Sequence, residues 1–212
     1  MIPTMIEPRI QQHFYDTADV LVQAAETLAR PLAAAVDLVW HAVTGGGKLL
    51  VAGSGSAQAD ALYAAAVFMG GAERPRPALP ALTLGADPAV NAALTQAAGG
   101  AAADPAAVLA SQLLALGMPG DVMVVFECPA ANGMTQALAP VIQAAHEREM
   151  SVVLWTAGPR EAPVSASAEL LTDIDVHVPV RADRHAQAST LYRVGWLALV
   201  DGIDLQLLGE SE

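Results

Sequence analysis

Lys48-Leu49-Leu50-Val51-Ala52-Gly53-Ser54-Gly55-Ser56-Ala57-Gln58-Ala59-Asp60 is the stretch whose reading decides the fold. Leu49 to Ala52 form a short, continuous apolar run, the pattern of a strand buried on both faces of a parallel sheet. Gly53 to Ser56 break the run, and Ala57 to Met69 follow with helix-forming composition. Strand, Gly/Ser turn and helix together place backbone N–H groups at a helix N-terminus, beyond the strand ends. That arrangement reads equally as an anion cradle and as a turn that needs small residues for close packing.

Working outward, the chain repeats the unit. Leu79 to Leu84 is a second apolar run, broken by Gly85 and Asp87-Pro88. Residues 89–103 are Ala- and Gly-rich with weak helical character. Asp104 and Pro105 predict an N-cap and first position for a helix reaching about Leu116. Val122 to Phe126, Ser151 to Thr156 and Ile174 to Val178 give three further strands, the last an edge strand from its alternating polar pattern. A helix over 134–148 precedes the fourth strand, and the last helix runs from about Arg184 to Leu208. Strands alternating with helices predict an α/β, three-layer α/β/α sandwich on a five-stranded parallel sheet.

Ahead of the first strand, Ile6, Ile10, Phe14, Ala18, Leu21, Ala25 and Leu28 recur every three or four positions, predicting a helix from about Glu7 to Ala29. Pro31 predicts a restart, and Leu32, Val36, Val39 and Val43 mark a second helix stopped by Gly45-Gly46-Gly47. The expectation is an N-terminal helical hairpin over 1–46, used in assembly, before a main domain over 47–212. Gly195 and Gly202 lie seven apart in the last helix, hence on one face, and point to a close helix–helix approach at an interface. Gly45-Gly46-Gly47-Lys48 is no P-loop: no Ser/Thr follows the lysine, and the segment precedes its strand.

The 212 residues carry a net charge of −12, from 22 acidic and 10 basic side chains, and no Lys/Arg cluster. This argues against direct nucleic-acid or membrane binding. One cysteine, Cys128, excludes an internal disulfide and fits a reducing cytoplasm, and no secretory leader opens the chain. The apolar stretch Leu191 to Leu208 contains Arg193, Asp201 and Asp204 and is not expected to span a membrane. His13, His41, His146 and His177 lack metal-ligand spacing, so no metal or cofactor is expected.

Gly53-Ser54-Gly55-Ser56 through Asp60-Ala61 resembles the first sugar-phosphate loop of SIS (sugar isomerase) domains. The branch is that of the sedoheptulose-7-phosphate (phosphoheptose) isomerases and the DiaA-type regulators. Glu73-Arg74-Pro75, Pro119-Gly120-Asp121-Val122, His146-Glu147-Arg148-Glu149-Met150, Asp173-Ile174-Asp175-Val176 and Ile203-Asp204-Leu205 match in the same order, over nearly the whole chain. The resemblance implies a homotetramer, with a dimer as the smaller option, and a protein partner such as a replication initiator. Gly53, Ser54, Gly55, Ser56, Asp87 and Gln187 are the residual sugar-phosphate contacts that it implies.

The match breaks where the family does its chemistry. Aldose–ketose isomerisation moves protons between carbons and oxygens and needs an acid and a base. The family glutamate falls at Ala65 or Ala66, the histidine near Thr190, and a histidine that is sometimes a metal ligand at Tyr63. The Ser/Thr-rich second phosphate loop is replaced by Phe126-Glu127-Cys128-Pro129-Ala130-Ala131-Asn132-Gly133. Proline removes a donor, alanines remove hydroxyls, and a glutamate facing a dianion at about 4 Å costs several kcal/mol.

Glu127, Cys128, Asn132, Arg184 and His185 remain candidate crevice residues. Glu127 with Asp60 reads either as a carboxylate pair or, more simply, as separate groups with Asp60 capping its helix. Cys128 reads as a nucleophile or as a buried or capping thiol. The expectation is an oligomeric regulatory or carbohydrate-derivative-binding protein without catalysis. The alternative is a sedoheptulose 7-phosphate isomerase with displaced catalytic groups.

Overall fold

The computed structural model describes residues 5–127, 138–159, 165–182 and 184–210. Its five strands are β1 (Leu49–Gly53), β2 (Ala81–Thr83), β3 (Val122–Phe126), β4 (Ser151–Gly158) and β5 (Val176–Arg181). They form one parallel sheet in the order β2-β1-β3-β4-β5, with β5 at an edge as expected. Chain direction across the sheet reverses between β1 and β3, and the crevice beyond their carboxyl ends is where such sheets bind ligands. β1 and β3 are buried at every position, so their sequences read as unbroken apolar runs rather than alternations.

Alternate strand residues feed two cores. Val51, Val124, Phe126, Trp155 and Val178 face the layer of α1 (Ile6–Thr44), α2 (Gln58–Gly70) and α6 (His185–Leu208). Leu50, Met123, Val125 and Leu154 face α4 (Pro105–Leu116) and α5 (Ala139–Glu147). The short α3 (Pro88–Ala97) buries none of its residues and sits beside α4. More than half of the chain's few aromatics converge under α6. Phe126 lies 5.4 Å from Trp155, 5.3 Å from Tyr192 and 5.9 Å from Trp196, centroid to centroid. Trp196 also donates its indole N–H to the Ala64 carbonyl of α2.

Two expectations are corrected. The N-terminal hairpin is one helix of 39 residues, with Pro31 inside it. Proline cannot donate to the carbonyl one turn back and costs about 3 kcal/mol in a helix interior. Leu28, Ala35, Val36 and Val39 are buried against the rest of the domain on either side of Pro31, and that burial offsets the cost. The glycines of α6 also act within the chain. A Cβ at Gly195 would lie 2.9 Å from Trp155 Cζ3, and one at Gly202 would lie 2.8 Å from Val36 Cγ2. They let α6 settle onto β4 and α1.

Polar locks close the ends of these layers. Asp121, before β3, accepts from the backbone N–H and ammonium of Lys48 and from Met118 N–H, joining the entrances of β1 and β3. Asp175, before β5, accepts from Val152 N–H, Thr172 and His146. Arg76 pairs with Asp204 of α6, both side chains almost fully buried, and donates to the Phe68 carbonyl as well. Removing either partner of such a pair strands a buried charge. Among the described residues no helix is long and apolar enough to cross a membrane.

Gly195→Leu is expected to destabilise the fold by about 1–3 kcal/mol through overpacking against Trp155, read as a lowered urea midpoint. Gly70→Ala, where a Cβ meets nothing within 4 Å, should leave the midpoint unchanged or slightly raised.

His177 is half-buried on β5, with Thr156 Oγ1 2.8 Å from its Nε2. Burial first, and Arg181 second, push its pKa below the ordinary 6.5. Stability from the neutral ring is therefore fully present above about pH 6.5 and is lost as pH falls from there toward the folded-state value. Urea unfolding across this window should show that slope in the parent protein and a smaller one in His177→Gln.

Candidate functional site

The crevice beyond β1 is built on two backbone necessities. A Cβ on Gly53 would lie 2.3 Å from the Ala57 carbonyl oxygen, so that position requires glycine, and Gly55 at φ +52° sits in the left-handed region that favours it. Ser54 is extended and buried, and its N–H donates to the Phe126 carbonyl, carrying the β1–β3 ladder one residue further. Gly55–Ala57 make a single 3-10 turn that opens directly into α2. This is the strand, turn and helix unit expected from the sequence.

The residues of that unit are not all turned toward a ligand. Gly53 N–H donates to Gln58 Oε1 at 2.9 Å, and Gln58 Nε2 donates to the Leu84 carbonyl at 2.7 Å. The glutamine thus staples the end of β1 to the end of β2. Gly85 N–H donates to Gln112 Oε1 at 2.6 Å, and Asn91 Nδ2 donates to the Gly85 carbonyl at 2.8 Å. Two amides that could have held an anion are already engaged by side-chain carbonyls. Gln58, Gln112 and Asn91 were not singled out in the sequence. The only signal for Gln112 is a lone amide within the apolar run of α4.

The other expected site residues divide into three groups. His185, at the first position of α6, reaches the turn: its Nε2 lies 2.5 Å from Ser56 Oγ. Arg184 and Gln187 instead hold α1. Arg184 donates to Asp16 Oδ2 at 2.9 Å, and Gln187 Nε2 donates to the Asp16 carbonyl at 3.3 Å. Asp87 caps α3, accepting from the N–H groups of Ala89 and Val90. Glu127 is fully buried, with Leu138 N–H on Oε1 and Ser165 Oγ on Oε2, while Tyr192 OH donates to its carbonyl. Cys128 and Asn132 lie outside the described residues.

Asp60 and Glu127 each have their own partners. Asp60 is buried in the first turn of α2 and accepts from Ser189 Oγ at 2.8 Å and Arg193 Nε at 2.9 Å, both from α6. It therefore ties α2 to α6. The Arg193 guanidinium also lies over the Tyr63 ring, 5.2 Å from its centroid. Among the positions where the family's proton carriers would stand, Ala65 is buried, Ala66 is exposed on the outer face of α2, and Thr190 donates its hydroxyl back to the Ala186 carbonyl.

An open cleft of about 310 Å³ lies beside this turn, between Gly53 and Gln58 on one side and α3 and α4 on the other. Its size falls at the lower end of the range for small-molecule sites, about 300–1,000 Å³. A larger hollow of about 520 Å³ runs along the exposed start of α1 to Arg184, which precedes α6. One helix and one arginine do not enclose a ligand, so the cleft beside β1 is the stronger candidate.

Comparison with known proteins agrees with this architecture. The SIS domain model matches residues 12–157. A phosphoheptose isomerase of Methylibium petroleiphilum is 38% identical over 208 residues, covering 98% of each chain. One from Azoarcus sp. is 37% identical over 204 residues, 96% of this chain and 98% of the other. The solved structure of phosphoheptose isomerase GmhA from Neisseria gonorrhoeae superposes with a TM-score of 0.79 at 28% identity, over 94% of this chain and 98% of that one. A glycine-bound turn at the switch point of a 2-1-3-4-5 parallel sheet, and similarity running the length of the chain, place this protein in the SIS domain family as a phosphoheptose isomerase-like member.

Proposed function

We propose that this protein is an oligomeric SIS-domain regulator that binds a carbohydrate derivative in the cleft beside β1 and does not isomerise it. The supporting observation is the chemistry of three positions. Ala65, Ala66 and Thr190 stand where the family resemblance puts an acid and a base, and none can exchange a proton near neutral pH. Around them, Ser189 and Arg193 both donate to Asp60. The cleft and its glycine turn are retained, which favours ligand binding over a purely structural role.

A second reading, sedoheptulose 7-phosphate isomerase, is favoured by the names of the relatives over almost the full chain length. It needs substitute proton carriers, and the His185 imidazole beside Ser56 is the available candidate. Incubation with sedoheptulose 7-phosphate, followed by phosphorus NMR, separates the two. No conversion to the heptose 7-phosphate is expected over hours at micromolar protein. Turnover that His185→Gln abolishes would establish the isomerase instead.

Assembly is the other half of the proposal. Ile6, Ile10, Phe14 and Val22 of α1 are 45%, 53%, 70% and 70% exposed, an apolar stripe that solvent alone does not favour. It is read as the surface that joins copies of this chain into a dimer or tetramer. A protein partner, for which the DiaA-type resemblance supplies the replication initiator as candidate, would act on the assembled form. Light scattering should give an oligomer for the parent and a smaller species for Phe14→Asp. An unchanged mass would remove α1 from the interface.

A further inference from the structure

We propose that α1 pairs antiparallel with α1 of a second copy of this chain, about a twofold axis that passes between Val22 and Ala25. This gives the geometry of the assembly proposed above and rests on it.

α1 carries two apolar faces, and the chain itself covers one. Leu21, Ala24, Leu28 and Leu32 pack into the core. A second row, Phe14, Ala18, Val22, Ala25, Ala29 and Ala33, is exposed along its whole length, with Phe14 and Val22 each 70% exposed. Its steps are four, four, three, four and four residues, the spacing that keeps side chains on one face of a helix.

The row reads the same in both directions. Its steps are symmetric about the midpoint between Val22 and Ala25. An antiparallel copy therefore sets Phe14 opposite Ala33, Ala18 opposite Ala29 and Val22 opposite Ala25 of the second copy. Phe14 and Val22 each meet an alanine, and the small side chains let the helix axes approach to about 8 Å. A parallel pair in register would oppose Phe14 to Phe14 and leave a gap between facing alanines. An isologous contact, in which residue i meets j and j meets i, requires such a symmetric row, and a different protein would not.

Charge favours the same orientation. Asp19 and Arg30 lie eleven residues, about three turns, apart and so share one flank of the row. Both are exposed, and neither makes an ion pair among the described residues. An antiparallel pair sets the same flank of both helices side by side. Asp19 then falls opposite residue 28 of the second copy, with that copy's Arg30 about 3 Å further along the axis. An arginine side chain spans that offset, and the symmetry makes the contact twice. Two copies of a chain with net charge −12 repel one another, so a cation set against an aspartate at their contact selects one arrangement over the rest.

The test is disulfide trapping in the full chain, with Cys128→Ser as the background. In the double variant Ala18→Cys with Ala29→Cys, the two thiols of one chain stand about 16 Å apart along the helix and cannot join. Each faces its counterpart in the second copy. Mild oxidation is expected to give a covalent dimer of the double variant, while Ala18→Cys alone and Ala29→Cys alone stay uncrosslinked. Cross-linking of either single variant would overturn the antiparallel pair and leave assembly standing. So would no cross-linking of the double variant in a sample that light scattering shows to be oligomeric. A parent that is monomeric at micromolar concentration would overturn assembly and this inference together. Charge reversal gives a second reading that needs no cysteine. Asp19→Arg is expected to raise the dissociation constant about tenfold, and Asp19→Arg with Arg30→Asp to restore it. Failure of the double reversal to restore association would also overturn the inference.

Discussion

The approach of the Ala57 carbonyl to within 2.3 Å of where a Gly53 Cβ would stand is the constraint on which this molecule depends. It lets β1 end and α2 begin within four residues, at the point where the sheet changes direction. From that turn α2 drops onto one face of the sheet, and the chain returns to β2 on one side and β3 on the other. A side chain at Gly53 would push the helix away from β1, and with it the Trp196–Ala64 contact that secures α6. The same glycines serve the fold whether or not an anion is bound, which is why the loop by itself was ambiguous.

Around this point the polar groups are satisfied by contacts within the chain. Gln58 and Gln112 satisfy the amides at the ends of β1 and β2. Asp60 accepts from Ser189 and Arg193 and so bridges α2 to α6. Buried polar groups are costly unless paired, so each of these bonds stabilises the fold while removing a group from the crevice.

Much of the architecture was legible because parallel strands buried on both faces must be apolar throughout. β3 was read to its last residue, and the Asp104–Pro105 start of α4 followed from capping chemistry alone. The N-terminal helix was misread as a hairpin because Pro31 is a strong local breaker. Burial of Leu28 and Val36 on either side overrides it, and that is a tertiary effect. Gly195 and Gly202 were rightly read as sites of close approach, but sequence spacing cannot say whether the neighbour is Trp155 and Val36 of the same chain or another subunit.

The sequence by itself determined the fold class and the switch-point turn, because each depends on residue type at one position or on a short local pattern. Only the tertiary structure decided where the remaining polar side chains point. Arg184 and Gln187 turned to α1, and His185 reached the turn after β1. Hydrogen-bond partners separated by more than a hundred residues are fixed by how layers pack, and no local pattern records them. The same reason hid the cleft between α3 and α4, whose character comes from four segments that meet only when the sheet is formed.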